Sequence, residues 1–363
     1  MGQYWEIAAL DSKKVLGKEC VKLGEFLFDP VVSEDLERAL AVPVVPTYRD
    51  SRHENVKSHH SAAVGTMDRK PGSFCRFPTE IHRLIFEHCY DDDLKSVIFL
   101  GATSQYFWSI AREYVVRDFM QSLGVWAGQQ LITVGDYVDV DDHPPGLFAT
   151  EEDKETLLER RPEDEESEDE ESEFNQLPVV QQAVTLYLRI RRSFETERPE
   201  AKTRLRDRKL YSILDALRQD PCYRTVKNAI KMQRDDFYPR DEVWILRNLT
   251  TQQYVRREPL ELGPGLAHGP FVRGIGFGSV VLSRISWSSS DTVGLQDPTG
   301  RIHRGLWAGH RFDITTMTRH EKLTAGQNWT DVTEELVEEV IAIWSEGSGP
   351  NWKQELLEEY RRG

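Results

Sequence analysis

QYWEIAALDSKKVL at residues 3–16 and EVWILRNLTTQQYV at residues 242–255 align without a gap, placing Trp5 on Trp244, Leu10 on Leu249 and Val15 on Tyr254. Each reads as strand, tight turn and strand. In the first, Trp5 and Ile7 share one face of an alternating run, Asp11-Ser12-Lys13 turns the chain, and Val15-Leu16 returns. Two explanations fit: the stretches are copies of one unit, or two Trp-bearing hairpins align by coincidence. If they are copies, the N-terminal hairpin shares a sheet system with residues 241–315, and the helices between are insertions in one β body. The expected fold class is α+β: a small three-helix module and other helices attached to an antiparallel β-rich body that includes the N-terminal hairpin and the C-terminal third.

Working outward, an apolar run follows at residues 23–28, and residues 31–42 pattern as a short helix with Ser33 as N-cap and Leu36, Ala39 and Leu40 inward. Residues 43–73, with Pro43, Pro46, three His and Gly65, read as a long loop. Leu131 to Val140 reads as a strand, ended by His143-Pro144-Pro145-Gly146. From residue 177 the period becomes helical, with Val180, Ala183, Val184, Tyr187, Leu188 and Arg191 on one stripe. A second helix is expected over about 205–219, stopped by Asp220-Pro221. Between them, residues 189–209 carry nine Lys or Arg against four acids, which fits a solvated helix face or a patch that receives an acidic segment. The last third is strand-like and Gly-rich from EVWILRNL through FVRGIGFGSVVLSRISWSS to RGLWAGHRFDITT, and it ends in amphipathic helices at about 331–345 and 351–361. Leu336, Val340, Ile341 and Trp344 form the apolar face of the first of these.

The expected organisation is thus 1–73, N-terminal strands and loop packing on the C-terminal β body; 74–118, the helical module; 119–150, a connecting strand region; 151–176, an acidic disordered linker; 177–240, a helical region; and 241–363, a β-rich region with C-terminal helices.

A chain of 363 residues that is 39% hydrophobic can bury one sizeable core or two modest ones. The formal charge of −15 is concentrated: residues 151–173 hold fourteen Asp and Glu against three Lys and Arg, leaving about −4 elsewhere. That block repels itself and buries too little apolar area to offset its ordering entropy, hence the linker assignment. No nucleic-acid partner is expected. Four cysteines without a CxxC pair suit a reducing compartment. The opening MGQYWEIAALDSKKV has no basic region followed by an apolar one, and Glu6 stands where a myristoylation motif wants Ser or Thr. No run of eighteen apolar residues occurs, so a cytoplasmic or nuclear protein without a membrane partner is expected. The sequons at Asn248 and Asn328 are then chance matches.

Residues 77–112, FPTEIHRLIFEHCYDDDLKSVIFLGATSQYFWSIAR, encode three short helices. Pro78 suits a first turn, where its missing N–H would be unpaired anyway, and Glu80 favours the N-terminal dipole. That helix should expose Ile81, Leu84, Ile85 and Cys89. Asp91-Asp92-Asp93 breaks and recaps; Leu94, Val97, Ile98 and Leu100 make a second helix, apolar on more than one side, that Gly101 closes. Ser104 caps a third, with Tyr106, Phe107, Ile110, Ala111 and Tyr114 spaced to bury. About 45 residues of this kind are too few for a secure core of their own.

This pattern resembles an F-box, a family with a Leu-Pro-x-Glu-Ile opening, an Ile-Phe kind of run, an Asp-Leu, and a Ser or Cys before a bulky aromatic. The matching positions are Pro78, Glu80, Ile81, Ile85, Leu94, Leu100, Ser104, Phe107 and Trp108, with Phe77 in place of the usual Leu. The chain as a whole resembles fungal F-box domain-containing proteins that join MGQYW, such a segment and a WAGHRFDIT ending. The resemblance implies that Pro78, Ile81, Ile85, Leu94, Leu100 and Trp108 dock into the Skp-type adaptor of a cullin–RING ubiquitin ligase while the β-rich region holds a protein target. It implies no cofactor.

Three other signals concern chemistry. Six glycines in residues 263–278 lack the GxGxxG spacing of a nucleotide loop and fit close backbone approach or a bulged strand. His303, His310 and Asp313 lie in a polar cluster with Arg304, Arg311 and His320, and a His beside an Asp can make a general base. His53, His59 and His60 lack an obvious fourth ligand, so no metal is expected. The leading reading is an interaction adaptor; the alternatives are an enzyme with a pocket in the C-terminal Gly/His-rich region, His310 and Asp313 being its acid–base pair, and a scaffold in which the F-box-like segment is ordinary core.

Overall fold

A computed structural model describes residues 3–17, 21–45, 73–158, 184–197, 210–216, 218–219, 223–230 and 234–362, apart from 264, 296, 297 and 299. The alternating run at the N-terminus forms β1 (Trp5–Ala9) and β2 (Lys14–Leu16), followed by α1 (Leu23–Phe28) and α2 (Pro30–Leu40). Asp29, not Ser33, caps α2 by accepting the Val31 N–H at 2.8 Å, and Pro30 takes the first helical position. Next come α3 (Thr79–Asp92), α4 (Leu94–Ala102), α5 (Gln105–Gln121), β3 (Leu131–Gly135) and α6 (Glu151–Leu158). After α7 (Leu186–Ser193), β4 (Glu195–Glu197) and α8 (Tyr223–Ile230), the last third opens with β5 (Trp244–Asn248) and β6 (Gln253–Arg256). It continues through β7 (Ala267–His268), β8 (Phe271–Val272), α9 (Phe277–Leu282), β9 (Ser286–Trp287) and β10 (Phe312–Thr316). It closes with α10 (Met317–Leu323), β11 (Thr330–Asp331), α11 (Thr333–Ser348) and α12 (Trp352–Arg362).

The chain is α+β and divides into two units. The larger comprises Met1–Val42, Leu123–Glu200 and Arg240–Gly363; the smaller comprises Pro43–Ser122 and Ala201–Pro239. The N-terminal strands therefore do belong with the C-terminal third. The expected helical region 177–240 is instead divided, α7 and β4 falling in the larger unit and α8 in the smaller.

Two sheets organise the larger unit, one in the order β4-β2-β1-β3-β9 and one in the order β10-β5-β6-β11, with β7-β8 as a separate ribbon. The two hairpins lie in different sheets, and the sheets are mixed, since β2–β4, β3–β9 and β6–β11 pair in parallel. Parallel neighbours need long connections, and each of these pairs joins strands far apart in sequence.

The repeat is real and longer than the hairpins. Ala8 faces Val15 and Ala9 faces Lys14 in the first; Arg247 faces Tyr254 and Asn248 faces Gln253, the aligned positions, in the second. Each hairpin then gains an antiparallel third strand. β3 sets Gly135 opposite Trp5 and Leu131 opposite Ala9, while β10 sets Thr316 opposite Trp244 and Phe312 opposite Asn248. Before these strands stand Gly124-Val125-Trp126-Ala127-Gly128 and Gly305-Leu306-Trp307-Ala308-Gly309, each with a buried Trp and a final Gly in left-handed backbone, φ 80° and 78°. Equivalent backbone bonds repeat as well: Leu10 N–H to Gln130 O at 3.0 Å matches Leu249 N–H to Arg311 O at 2.8 Å.

The halves also exchange segments. Ala41, just after α2 of the first half, bridges Ile314 of β10 in the second, whereas β9, just after α9 of the second half, pairs with β3 in the first. The helices that lead into these segments meet with the Ser33 and Ser279 hydroxyls 3.1 Å apart.

Two further expectations change. Residues 151–158 of the acidic stretch form α6, because Thr150 and Asp153 cap each other reciprocally and Leu158 is buried. Leu158 joins Ala8, Val15, Ile132, Val134, Leu186, Tyr187 and Ile190 in one core cluster. Residues 159–183 lie outside the described residues, as do His53, His59 and His60. The glycine stretch is not a bulged strand: residues 277–282 are helical, and a Cβ on Gly278 would sit 2.1 Å from the Ser33 carbonyl oxygen. Close backbone approach is thus the role of Gly278, whereas Gly274 and Gly276 meet the side chains of Leu262 and Glu37.

Candidate docking surface

The smaller unit is built on α3, α4 and α5. Asp93 caps α4 by accepting the Ser96 N–H at 2.8 Å, and Ser104 caps α5 by accepting the Phe107 N–H at 3.1 Å. Gly101 lies inside α4 rather than ending it, and a Cβ there would stand 2.4 Å from Cβ of Ala111, so glycine lets α4 and α5 approach closely. One cluster joins Phe86, Val97, Phe107, Ile110, Ala111 and Tyr114. A second, on the other side of α4, joins Ile98 and Val115 to Leu210, Ile213 and Val226. The two apolar sides of α4 thus serve two cores, which is how so short a module acquires enough buried area.

α3 carries two apolar stripes. His82 and Phe86 face inward, at 2% and 0% exposure, and Cys89 and Tyr90 pack against the same cluster. Ile81, Leu84 and Ile85 form the other stripe, on which Leu84 is 65% exposed and Ile81 38%. Phe77 just before the helix and Tyr106 on α5 are also exposed, and Pro78 lies between Phe77 and the first turn. The flank is held by surface ion pairs between α3 and α5, Arg83–Glu113 at 3.0 Å and Arg117–Glu87 at 2.9 Å, each worth at most about 1 kcal/mol.

The sequence-predicted docking residues divide accordingly. Pro78, Ile81 and Ile85 lie on the outward side of α3, Pro78 and Ile81 exposed and Ile85 half-buried. Leu94, Leu100 and Trp108 are half-buried and pack against the two core clusters, so they support the module from within. Cys89 turns inward rather than outward, and Tyr106 outward rather than inward. His82 was missed, although its spacing to Phe86 and Cys89 is that of a helical stripe.

The acid–base pair expected in the larger unit is not assembled. Both oxygens of Asp313 are taken by Arg247, at 2.8 and 2.6 Å, in a buried bidentate pair. Nδ1 of His310 meets the Asn248 amide nitrogen at 3.0 Å, and burial pushes the His310 imidazole below its usual range. His303 is half-buried, its carbonyl accepting the Ser288 N–H. Asn248 itself is buried, its side chain closing the turn by accepting the Thr250 and Thr251 N–H groups. Among the described residues no group of three His, Cys, Asp or Glu side chains is placed to hold a metal ion, and no helix is long and apolar enough to cross a membrane.

No protein-family model matches the chain, and no curated protein or solved structure matches it.

Proposed function

We propose that the protein is an interaction adaptor, a substrate receptor in which the outward stripe of α3 docks into the Skp-type adaptor of a cullin–RING ubiquitin ligase and the larger unit holds a protein target. The observation that carries this reading is the second apolar stripe of α3: Leu84 and Ile81 stand exposed on a helix whose opposite side already fills a core. Fully burying a Leu, Ile or Phe side chain is worth about 1.5–3 kcal/mol, and Phe77, Ile81 and Leu84 each leave part of that area for a partner to cover, so together they can support a specific contact. The F-box-like spacing of Pro78, Glu80 and Ile81 supports the choice of partner.

Calorimetry with a purified Skp-type adaptor tests it. The wild-type chain is expected to bind, and a variant with Pro78→Ala, Ile81→Ala and Leu84→Ala is expected to lose binding while its thermal midpoint stays close to wild type. Absence of binding by the wild-type chain would sink the ligase reading.

A further inference from the structure

Resting on that reading, we infer that His82 is the positioning residue of the docking face, tying together the three segments whose side chains compose it. Its ring is 2% exposed and lies among Phe74, Phe77, Tyr106 and Phe107, with centroids 5.2, 6.5, 5.4 and 5.0 Å away. An apolar side chain would fill that space without desolvating two ring nitrogens, so the imidazole must be accounted for by its bonds. Both nitrogens are engaged. Nε2 is 2.9 Å from the Phe74 carbonyl oxygen, and Nδ1 is 3.0 Å from the Tyr106 hydroxyl.

A carbonyl oxygen only accepts, so Nε2 carries a proton and donates it to Phe74, while Nδ1 faces the Tyr106 hydroxyl. The Tyr106 and Thr79 hydroxyls are 3.0 Å apart, which brings the first residue of α3 into the same network. The Phe74 carbonyl also accepts the Phe77 N–H at 3.3 Å. One side chain thereby fixes the turn that presents Phe77 and Pro78, the first turn of α3 with Ile81, and the start of α5 with Tyr106. Holding these groups in place before a partner arrives lowers the ordering cost of binding.

The test uses the full chain with His82→Phe, which keeps an aromatic ring in the cluster, and Tyr106→Phe, which removes one hydroxyl. Three quantities are measured: the imidazole nitrogen shifts of His82, amide exchange at Phe77, Ile81 and His82, and affinity for the Skp-type adaptor. Wild type is expected to show the Nε2–H form. Tyr106→Phe should exchange about three- to tenfold faster at those amides and bind the adaptor weaker by a similar factor, the range that one lost hydrogen bond gives, and His82→Phe, which loses both ring contacts, at least as much, with thermal midpoints near wild type. An Nδ1–H form in wild type, or exchange in both variants equal to wild type, would overturn the positioning role. Should His82→Phe fail to fold, Tyr106→Phe alone decides. If wild type does not bind the adaptor, the adaptor reading falls, and the tautomer and exchange data still decide the role of His82.

Discussion

Lys13 and Gln252 occupy the same step of two hairpins and both hold left-handed backbone, at φ 53° and 55°. Among the described residues no other non-glycine side chain does so. Each costs on the order of 1 kcal/mol relative to glycine at such a position. Lys13→Gly and Gln252→Gly are therefore expected to stabilise the larger unit by about 0.5–1 kcal/mol each, read as a higher denaturant midpoint at unchanged slope. Lys13→Val and Gln252→Val should lower it. A midpoint that falls on glycine substitution would count against turn strain at that site.

Trp5 and Trp244 begin the aligned first strands and are both fully buried. Trp5→Ala and Trp244→Ala should each cost about 3–5 kcal/mol. Deleting residues 1–16 should speed amide exchange in β3, which loses its partner, and in β9, which pairs with β3. Exchange in α3, α4 and α5 should change little; an equal effect there would show that the two units do not respond separately.

Arg247 and Asp313 face each other across β5 and β10, at the positions where the first half has Ala8 and Ile132 facing across β1 and β3. Asp313→Ala leaves a buried guanidinium unpaired and should cost about 3–5 kcal/mol. Replacing both, Arg247→Ala with Asp313→Ile, reproduces the pair that the first half already tolerates and should recover most of that loss. A double variant no more stable than Asp313→Ala would mean that the pair does more than satisfy itself.

Glu37 is fully buried and accepts the Gly278 and Val272 N–H groups at 3.1 and 3.3 Å, yet burial pushes its carboxyl up to about 8 from an ordinary 4.5. Between those values the unfolded chain has released a proton that the folded chain keeps. The unfolded state thus binds fewer protons, and stability must fall as pH rises from about 4.5 to about 8, levelling off above. Denaturation of wild type and Glu37→Gln across that window should show the slope in wild type and a flatter profile in the variant. Parallel profiles would mean that Glu37 is ionised in the folded chain throughout.

Local periodicity made much of this legible. The hairpins, α2, the three helices of the module and the two C-terminal helices all lie close to their expected spans, because each was encoded by neighbours within a few turns or strand steps. The WAG repeat before β3 and β10 was equally present in the sequence, but it lies between insertions of different length and so escaped an ungapped comparison. The acid–base candidates failed for another reason: spacing cannot say which partner a carboxylate finds, and Arg247, remote from Asp313 in sequence, supplied both donors.

By itself, the sequence determined the elements and their apolar stripes, including the outward Ile81 and Leu84 on α3, since these follow from residue type and a fixed helical period. Tertiary structure decided which stripe was needed. Phe86 and His82 were covered because Phe107, Tyr114 and Phe74 came to lie against them, and Ile81 and Leu84 stayed exposed because nothing among the described residues filled that side. Tertiary structure likewise decided that the two halves exchange β9 and Ala41: strand pairing is a contact between distant segments, and its energy depends on backbone groups that every residue carries alike.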